Sequence, residues 1–281
     1  MQIYTKDFFE YIKEGSRKSA KEIVPFIIEL VQPQSVVDVG CGTGEWLSVF
    51  REHGIKDIFG IDGEYVNQEL LEIPQNKFLS FDLTKPLQLK RKFDLVISLE
   101  VAEHLPSHCA ETFVNSLTEH GSVILFSAAI PYQKGTNHIN EQWLEYWNNL
   151  FNTKGYVAVD CIRNRVWQND RVDFWFAQNM VFFVCQKYLD SSQNHKLQQQ
   201  FENTHVEQLS VVHPKKYLQL AEDYVNHEKS LAWYVEEHEK LKEEIVRLKY
   251  AAQPKNMSFK KVVSALPIAF INAIKRKFDV S

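Results

Sequence analysis

The sequence predicts a doubly wound α/β domain over residues 1–188 and a C-terminal α-helical extension over residues 189–281. The domain is expected to hold a seven-stranded, mainly parallel sheet with an antiparallel last strand. Three observations predict this fold: apolar runs alternate with helical segments, a glycine-rich turn follows the first run, and the composition becomes polar and glutamine-rich at Leu189. With 44% apolar residues in a chain of 281, the protein can fill a core of this size.

The individual elements follow from local patterns. An amphipathic pattern over residues 18–33 predicts a first helix that ends before Pro33. Helical spacing also marks residues 107–120 and 140–154, with Gly155 placed to end the second of these helices. Short apolar runs predict strands at residues 35–40, 57–62, 77–83, 93–100, 121–129, 156–163 and 179–187.

Composition and charge disfavour several classes of protein. The 32 basic and 36 acidic residues give a formal net charge of -4, so no basic field indicates a nucleic-acid partner. Four scattered cysteines fit reduced thiols rather than a disulfide framework or a zinc site. The N-terminal residues are interrupted by charge, unlike a signal peptide, and no apolar run reaches the roughly 18–20 residues of a membrane-spanning helix. We therefore expect a cytoplasmic protein.

The turn "SVVDVGCGTGEWL" at residues 35–47 raises the question of which cofactor it binds. No lysine follows the glycines, which excludes a triphosphate-binding P-loop. A dinucleotide site needs a third glycine where Glu45 stands, and a carboxylate there would repel a pyrophosphate. The turn instead suits a ligand without phosphates, whose methionine-like chain lies on bare backbone while acidic groups meet its ammonium and sulfonium.

The motif "VVDVGCGTG" resembles the first motif of the class I S-adenosylmethionine-dependent methyltransferases, enzymes with a seven-stranded Rossmann-like sheet. "FDLVISLEVAEHL" is similar to the fourth-strand motif of many small-molecule methyltransferases. The resemblance covers about 150 residues. It implies S-adenosylmethionine as cofactor and S-adenosylhomocysteine as product. The donor-binding residues that it implies are Arg17, Asp38, Gly40, Cys41, Gly42, Gly44, Asp62, Gly63, Asp82, Leu83, Leu99 and Glu100.

Three of these residues receive specific roles from the resemblance. Asp62 is expected to accept hydrogen bonds from both ribose hydroxyls, and Asp82 one from the adenine amino group. Arg17 belongs to an N-terminal segment that closes over the donor's carboxylate in related enzymes. A purely structural interpretation stays open, in which Asp38, Asp62 and Asp82 only form turns and Arg17 lies at a solvated helix start.

Methyl transfer to a hydroxyl needs alignment and a general base near the carboxyl ends of the fourth and fifth strands. His138 is the candidate base, with Glu141 orienting its ring and His104 orienting water or substrate. The alternative is that His138 is a solvated loop residue and Glu141 favours a helix dipole. His104 and His108 have a spacing that can hold a metal on a helix, but Pro106 lies between them and no third ligand is evident, so we expect no metal.

Aromatic and polar residues near this base suit a sugar ring, whose CH face stacks and whose hydroxyls form hydrogen bonds. We therefore predict a hydroxyl of a sugar or glycan as acceptor. The alternatives are N- or aromatic O-methylation of another small molecule, or a non-catalytic donor-binding scaffold; Trp167 and Trp175 could also simply cover the sheet edge. The candidate substrate residues are Tyr132, Asn137, Trp143, Arg163, Trp167 and Trp175.

The extension contains a heptad pattern over about residues 228–250, the minimum for a short coiled coil, which permits a homodimer or packing on the catalytic domain. The last residues form an apolar segment between basic clusters, for which docking on the parent domain is favoured over contact with a membrane surface. The heptad core positions are Leu231, Tyr234, His238, Leu241, Ile245 and Leu248.

Overall fold

The computed structural model describes residues 6–191 and 194–251. Its centre is one seven-stranded sheet with the strand order β3-β2-β1-β4-β5-β7-β6. The strands are β1 (Ser35–Val39), β2 (Asp57–Asp62), β3 (Phe78–Ser80), β4 (Leu95–Leu99), β5 (Val123–Ser127), β6 (Tyr156–Val159) and β7 (Val181–Cys185).

The pairing confirms the predicted sheet. β1 runs parallel to β2 and β4, and the pairs β2–β3 and β4–β5 are parallel too. β7 lies between β5 and β6 and runs antiparallel to both, with Val123 opposite Val184 and Tyr156 opposite Cys185. β1, β4, β5 and most of β7 are buried. This explains why their sequences read as continuous apolar runs.

Helices cover both faces of the sheet, as the alternating pattern predicted. One face packs against α1 and α2 around Ile27, Leu47 and Phe50, and the other packs against α3 and α4 around Phe113 and Trp147. The helices are α1 (Lys6–Val31), α2 (Glu45–Glu52), α3 (Ala110–His120), α4 (Leu144–Thr153), α5 (Arg163–Val166), α6 (Phe174–Asn179), α7 (Gln186–Leu189), α8 (His195–Glu202) and α9 (Pro214–Ala251).

The connection between the predicted strands at residues 156–163 and 179–187 is helical. The chain forms two short helices, α5 and α6, before it enters β7. Val166 and Phe176 from these helices are buried in the core on the α1 side. The short aromatic and apolar stretches there resemble strand ends because they are too short for a helical period to show.

Contacts divide the chain into two compact units, Met1–Leu218 and Gln219–Ser281. The first therefore includes α7, α8 and the start of α9, beyond the expected boundary at residue 188. In the second unit, α9 is exposed along nearly its whole described length. No helix in the described ranges is both long and apolar enough to cross a membrane. The basic-flanked apolar tail lies outside the described residues.

Candidate active site

The strand order fixes where a ligand can enter. From β1 the chain continues to β2 and β3 on one side, whereas β4 and β5 extend the sheet on the other side. The neighbouring strands β1 and β4 thus form a topological switch point, and ligands of open α/β sheets bind in the crevice at the carboxyl ends of such strands. The glycine-rich turn follows β1, and Glu100 follows β4, so both predicted motifs meet in this crevice.

The glycine turn requires its glycines for two different reasons. Gly40, Gly42 and Gly44 have φ values of 90°, 56° and 91°, in the left-handed region that favours glycine. A Cβ on Gly40 would overlap the side chain of Val101, so this glycine allows β1 and the turn after β4 to pack. A Cβ on Gly42 would meet no atom within 4 Å. The backbone of Gly42 is therefore bare and open to a ligand.

Asp62 links this turn to the end of β2. Its carboxylate accepts hydrogen bonds from the backbone N–H groups of Gly42 and Gly63, both at 2.6 Å. The Tyr65 hydroxyl also donates to it. Burial raises the pKa of Asp62, and these three hydrogen bonds oppose the rise. The carboxylate is thus fixed beside the open face of Gly42 and already holds one hydroxyl.

The crevice is acidic. Asp38, Glu45 and Asp62 are all buried around the glycine turn. Burial raises the pKa of Asp38 well above its ordinary value, and the charges of Asp62 and Glu45 add to the rise. Burial likewise raises the pKa of the Cys41 thiol well above its ordinary value. Such surroundings favour a cation and repel phosphate, in agreement with the argument against a dinucleotide.

The other predicted donor residues lie in different surroundings. Asp82 is half exposed, and its carboxylate accepts hydrogen bonds from the Thr84 backbone (3.1 Å) and hydroxyl (2.7 Å), while Leu83 beside it is buried. The Arg17 guanidinium bonds to Ser48 at 2.6 Å and pairs with Glu52. These partners lie along α2, one and two turns beyond the glycines, so Arg17 is already engaged away from the turn.

Glu100 is anchored by amide side chains that the sequence did not single out. Leu99 ends β4, and Glu100 follows it with a left-handed φ of 55°. The carboxylate accepts hydrogen bonds from Gln133 Nε2 at 2.8 Å and Asn179 Nδ2 at 3.1 Å. Gln178 Nε2 continues the chain of amides to Gln133 Oε1 at 3.2 Å. Burial raises the pKa of Glu100, and the bonds to its carboxylate oppose the rise.

A second set of contacts extends this amide network. The buried Lys216 donates through Nζ to the Gln133 carbonyl at 2.8 Å, and the His213 N–H donates to Gln178 Oε1 at 2.8 Å. His213 and Lys216 belong to the extension after residue 188, where no site residue was predicted from the sequence. Only the fold brings them to the site, and no local motif could have found them.

The predicted catalytic residues do meet. The rings of His104 and His138 lie edge to face with centroids 4.9 Å apart. Glu141 Oε1 lies 2.9 Å from His138 Nδ1 and also accepts the Lys134 N–H at 2.7 Å. Burial, and then the charge of His138, lower the pKa of His104 to about 4.

The loop after β5 carries the predicted substrate residues Tyr132, Asn137 and Trp143. Tyr132 is 73% exposed and Trp143 is 41% exposed. Tyr132, Lys134 and Asn137 all have left-handed φ values, between 60° and 65°. Non-glycine residues reach this region rarely, so three in six residues mark a strained loop.

One carbonyl group ties this loop to the turn after β4. The Glu103 carbonyl accepts the N–H groups of both Ile139 and Asn140, at 2.9 Å and 3.0 Å. The turn after β4 and the loop after β5 are therefore joined by hydrogen bonds at one carbonyl.

Arg163 does not fit the substrate role predicted for it. It is buried, and all five of its N–H donors are used within the protein: two bond Asp160 and the others bond backbone carbonyls. The carbonyls belong to Gln178, Gln208 and Leu209. No donor is left for a ligand, so Arg163 joins α5 and α6 to the chain before α9.

The two predicted tryptophans are placed differently from each other. Trp175 packs against the core, with its ring 5.2 Å from that of Phe174. Trp167 contacts the His213 ring at 4.6 Å and lines a surface pocket of about 960 Å³ together with Arg165 and Asn169. The residues lining this pocket all fall between 160 and 212 and include none from the glycine turn or from the histidine pair.

The fold and the site together define a Rossmann-like domain with an acidic, glycine-lined crevice at the switch point of its sheet. A family model described as a methyltransferase domain matches residues 11–222. This match covers well over half of the chain, so the chain belongs to the methyltransferase domain family. The protein is an S-adenosylmethionine-dependent methyltransferase, as its motifs predicted.

Several solved structures with a similar fold are methyltransferases of low sequence identity. The methyltransferase domain of bacterial CtHen1 is 19% identical, with a TM-score of 0.44 over 59% of this chain and 98% of that one. Magnesium protoporphyrin IX methyltransferase from Synechocystis PCC 6803, solved with bound S-adenosylhomocysteine, is 18% identical, with a TM-score of 0.44 over 60% and 82%. DesVI from Streptomyces venezuelae is 22% identical, with a TM-score of 0.36 over 43% and 55%. A search of curated proteins found no match.

Proposed function

We propose that the protein transfers the methyl group of S-adenosylmethionine to a hydroxyl of a sugar or glycan. The observation that carries this proposal is the His138–Glu141 pair, which lies on the same loop after β5 as the exposed rings of Tyr132 and Trp143. The His138–Glu141 pair can accept the proton of a hydroxyl, and the aromatic rings offer flat apolar faces on which the sugar bearing that hydroxyl can stack.

The crevice fits the donor. Gly42 offers bare backbone, Asp62 offers carboxylate oxygens for ribose hydroxyls, and Asp38 contributes to an acidic field. The bond from Tyr65 is a precedent for Asp62 accepting a hydroxyl in this geometry. When bound, S-adenosylmethionine supplies an electrophilic methyl group. The chain's own task is to hold donor and acceptor in line and to accept the acceptor's proton.

His104 and His138 differ in their ability to act as a base. The pKa of His104 is lowered to about 4, so its ring stays neutral at physiological pH and is a weak proton acceptor. His138 donates its Nδ1 proton to Glu141, which leaves Nε2 with a free lone pair. Glu141 also stabilises the charged ring that forms when Nε2 takes a proton. We therefore assign the base to His138 and a positioning role to Glu141.

The test is a methyl-transfer assay with two acceptor panels, one of nucleotide sugars and glycans and one of amines and phenols. We expect transfer to the first panel, slowed about 100-fold or more by His138→Asn because a hydroxyl needs the base. His108→Asn is the matched control, since His108 is exposed and lies outside the pair. Transfer only to amines, with a rate that His138→Asn leaves unchanged, would overturn the proposal.

We also propose that a second copy of this chain pairs with α9. Three predicted heptad core positions are exposed in the single chain: Leu231 (54%), Tyr234 (41%) and Ile245 (47%). Exposed apolar side chains at heptad spacing favour a matching helix. Light scattering of the wild type should give twice the mass of one chain, whereas the Leu231→Lys variant should give the mass of one chain. A single mass for the wild type at all concentrations would refute the dimer.

A further inference from the structure

Glu103 is the most unusual side chain near the active site. It is fully buried, at 0% exposure, and neither carboxylate oxygen has a hydrogen-bond partner among the described residues. The backbone N–H groups of Glu103 and Ala129 lie near this carboxylate but form no hydrogen bond to it by distance and angle. Buried polar groups are normally satisfied, so an unsatisfied carboxylate next to a catalytic pair calls for a ligand.

His104 presents a second unsatisfied atom at the same place. Its Nδ1 is buried and has no hydrogen-bond partner within the described part of the chain. Glu103, His104 and His138 offer one ligand atom each, and these three atoms all lie within 4.8 Å of one another. Ligands that share an ion at about 2.1 Å lie about 3–4 Å apart, so small side-chain movements would complete the site.

The surroundings add to the case for a cation. Glu100 and Glu141 lie close enough to Glu103 for their charges to act on it, so three carboxyl groups gather here. Glu141 bonds the Nδ1 of His138, and a carboxylate that holds a histidine ring in this way is a common support of metal ligands. A divalent ion would relieve the repulsion and satisfy the orphaned atoms at once.

The geometry points to a site for one divalent cation of the first transition series, bound by Glu103, His104 and His138. Two imidazoles and one carboxylate suit Mn²⁺, Fe²⁺, Co²⁺ or Zn²⁺ rather than Ca²⁺, which takes oxygen ligands. Three protein ligands leave coordination positions open for another molecule. Sequence spacing did not indicate this site because His108, the obvious partner of His104, is exposed, while the true partner lies 34 residues away on another loop.

This inference rests on the proposed function and deepens it. A cation at the cluster can bind the acceptor hydroxyl in an open position and lower its pKa, as metal ions do for bound water. In the ion-loaded protein His138 would be a ligand held by Glu141 rather than the base. The ion would acidify the bound hydroxyl, whose proton would leave to solvent as its oxygen takes the methyl group and S-adenosylhomocysteine departs. The acceptors that fit this site are compounds with a hydroxyl group that can reach a metal ion beside the donor crevice.

The experiment uses the full chain, freed of metal with a chelator, without donor or acceptor. Four proteins are compared: the wild type, Glu103→Gln, His138→Asn and the control His108→Asn. Mn²⁺ binding to each is measured by calorimetric titration, and Co²⁺ binding is followed by its visible spectrum. We expect one ion per chain for the wild type and control, and binding weakened at least about 100-fold in the other two variants. Thermal unfolding checks that Glu103→Gln is folded; His138→Asn, on the surface loop, provides the second test.

The outcomes separate this inference from the proposed function. S-adenosylmethionine binding is measured on the same samples, because it depends on Asp62 and not on the cluster. A wild type that binds the donor but no cation, or that binds the ion equally well after both substitutions, overturns the metal site. A wild type that binds the ion but methylates no hydroxyl acceptor overturns the proposed function and leaves the metal site standing.

Discussion

Replacing Asp62 with asparagine should weaken donor binding more than any other single change of comparable size in the crevice. The native carboxylate accepts two backbone N–H groups at 2.6 Å and a hydroxyl from Tyr65. The amide of the Asp62→Asn variant would keep one acceptor oxygen, but its NH₂ group would face an N–H of Gly42 or Gly63. Donor binding then loses one charge-assisted bond to a ribose hydroxyl and weakens the other.

The magnitude follows from the bonds involved. A hydrogen bond to a charged group contributes about 1.5–3 kcal/mol. Losing one such bond and the charge of the second gives about 2–4 kcal/mol, or roughly 30- to 1,000-fold in the dissociation constant. Asp82→Asn is the graded control: its carboxylate is half exposed and already bonded to Thr84, so solvent screens its contribution and we expect about 10-fold or less.

Calorimetric titration with S-adenosylmethionine measures both variants, and near-ultraviolet circular dichroism shows whether each remains folded. The assignment of Asp62 to the ribose is refuted if the folded Asp62→Asn variant binds the donor within about 3-fold of the wild type. An effect of Asp82→Asn larger than that of Asp62→Asn would equally contradict the ranking.

Three further changes test neighbouring features. Tyr65→Phe removes a hydroxyl that occupies Asp62, so donor binding should strengthen by about 0.5–1.5 kcal/mol in titration; weaker binding would show that Tyr65 contacts the donor instead. Gly135→Ala introduces a Cβ that overlaps the His138 ring, so the rate of methyl transfer should fall at least about 10-fold while donor affinity is unchanged. An unchanged rate would contradict the role of His138 in methyl transfer. Burial raises the pKa of Asp38 on folding, so its contribution to stability is fully present below its unfolded pKa and is lost as pH rises through the folded pKa. Asp38→Asn should therefore stabilise the donor-free protein more at about pH 8 than at about pH 4 in denaturant unfolding, and an equal effect at both pH values would rule this out.

The sheet and the glycine turn could be predicted because their causes are local. Buried parallel strands need apolar runs, and a turn with φ values of 90° and 91° needs glycine, so Gly40 and Gly44 are recognisable in the sequence. The family match over residues 11–222 agrees with what these short patterns indicated.

The rest of the site depends on contacts between distant segments. Arg163 reads as a free cation in the sequence, yet carbonyls near residues 178 and 208 use its donors. Gln133 and Asn179 carry no signal of their own, and they meet at Glu100 only because β7 lies beside β5. Likewise, no spacing rule joins His104 to His138, since their distance depends on how the loop after β5 returns to β4.

The way in which the loop after β5 packs on the turn after β4 has a consequence for changing the acceptor specificity of the enzyme. Because the Glu103 carbonyl accepts the N–H groups of Ile139 and Asn140, the segment proposed to recognise the acceptor is hydrogen-bonded to the segment proposed to border the donor. A transplanted loop with a different backbone course would not place two N–H groups on this carbonyl, so its side chains would be held differently relative to the turn after β4. A change of acceptor specificity, by evolution or by engineering, must therefore replace residues 100–104 and 130–143 together.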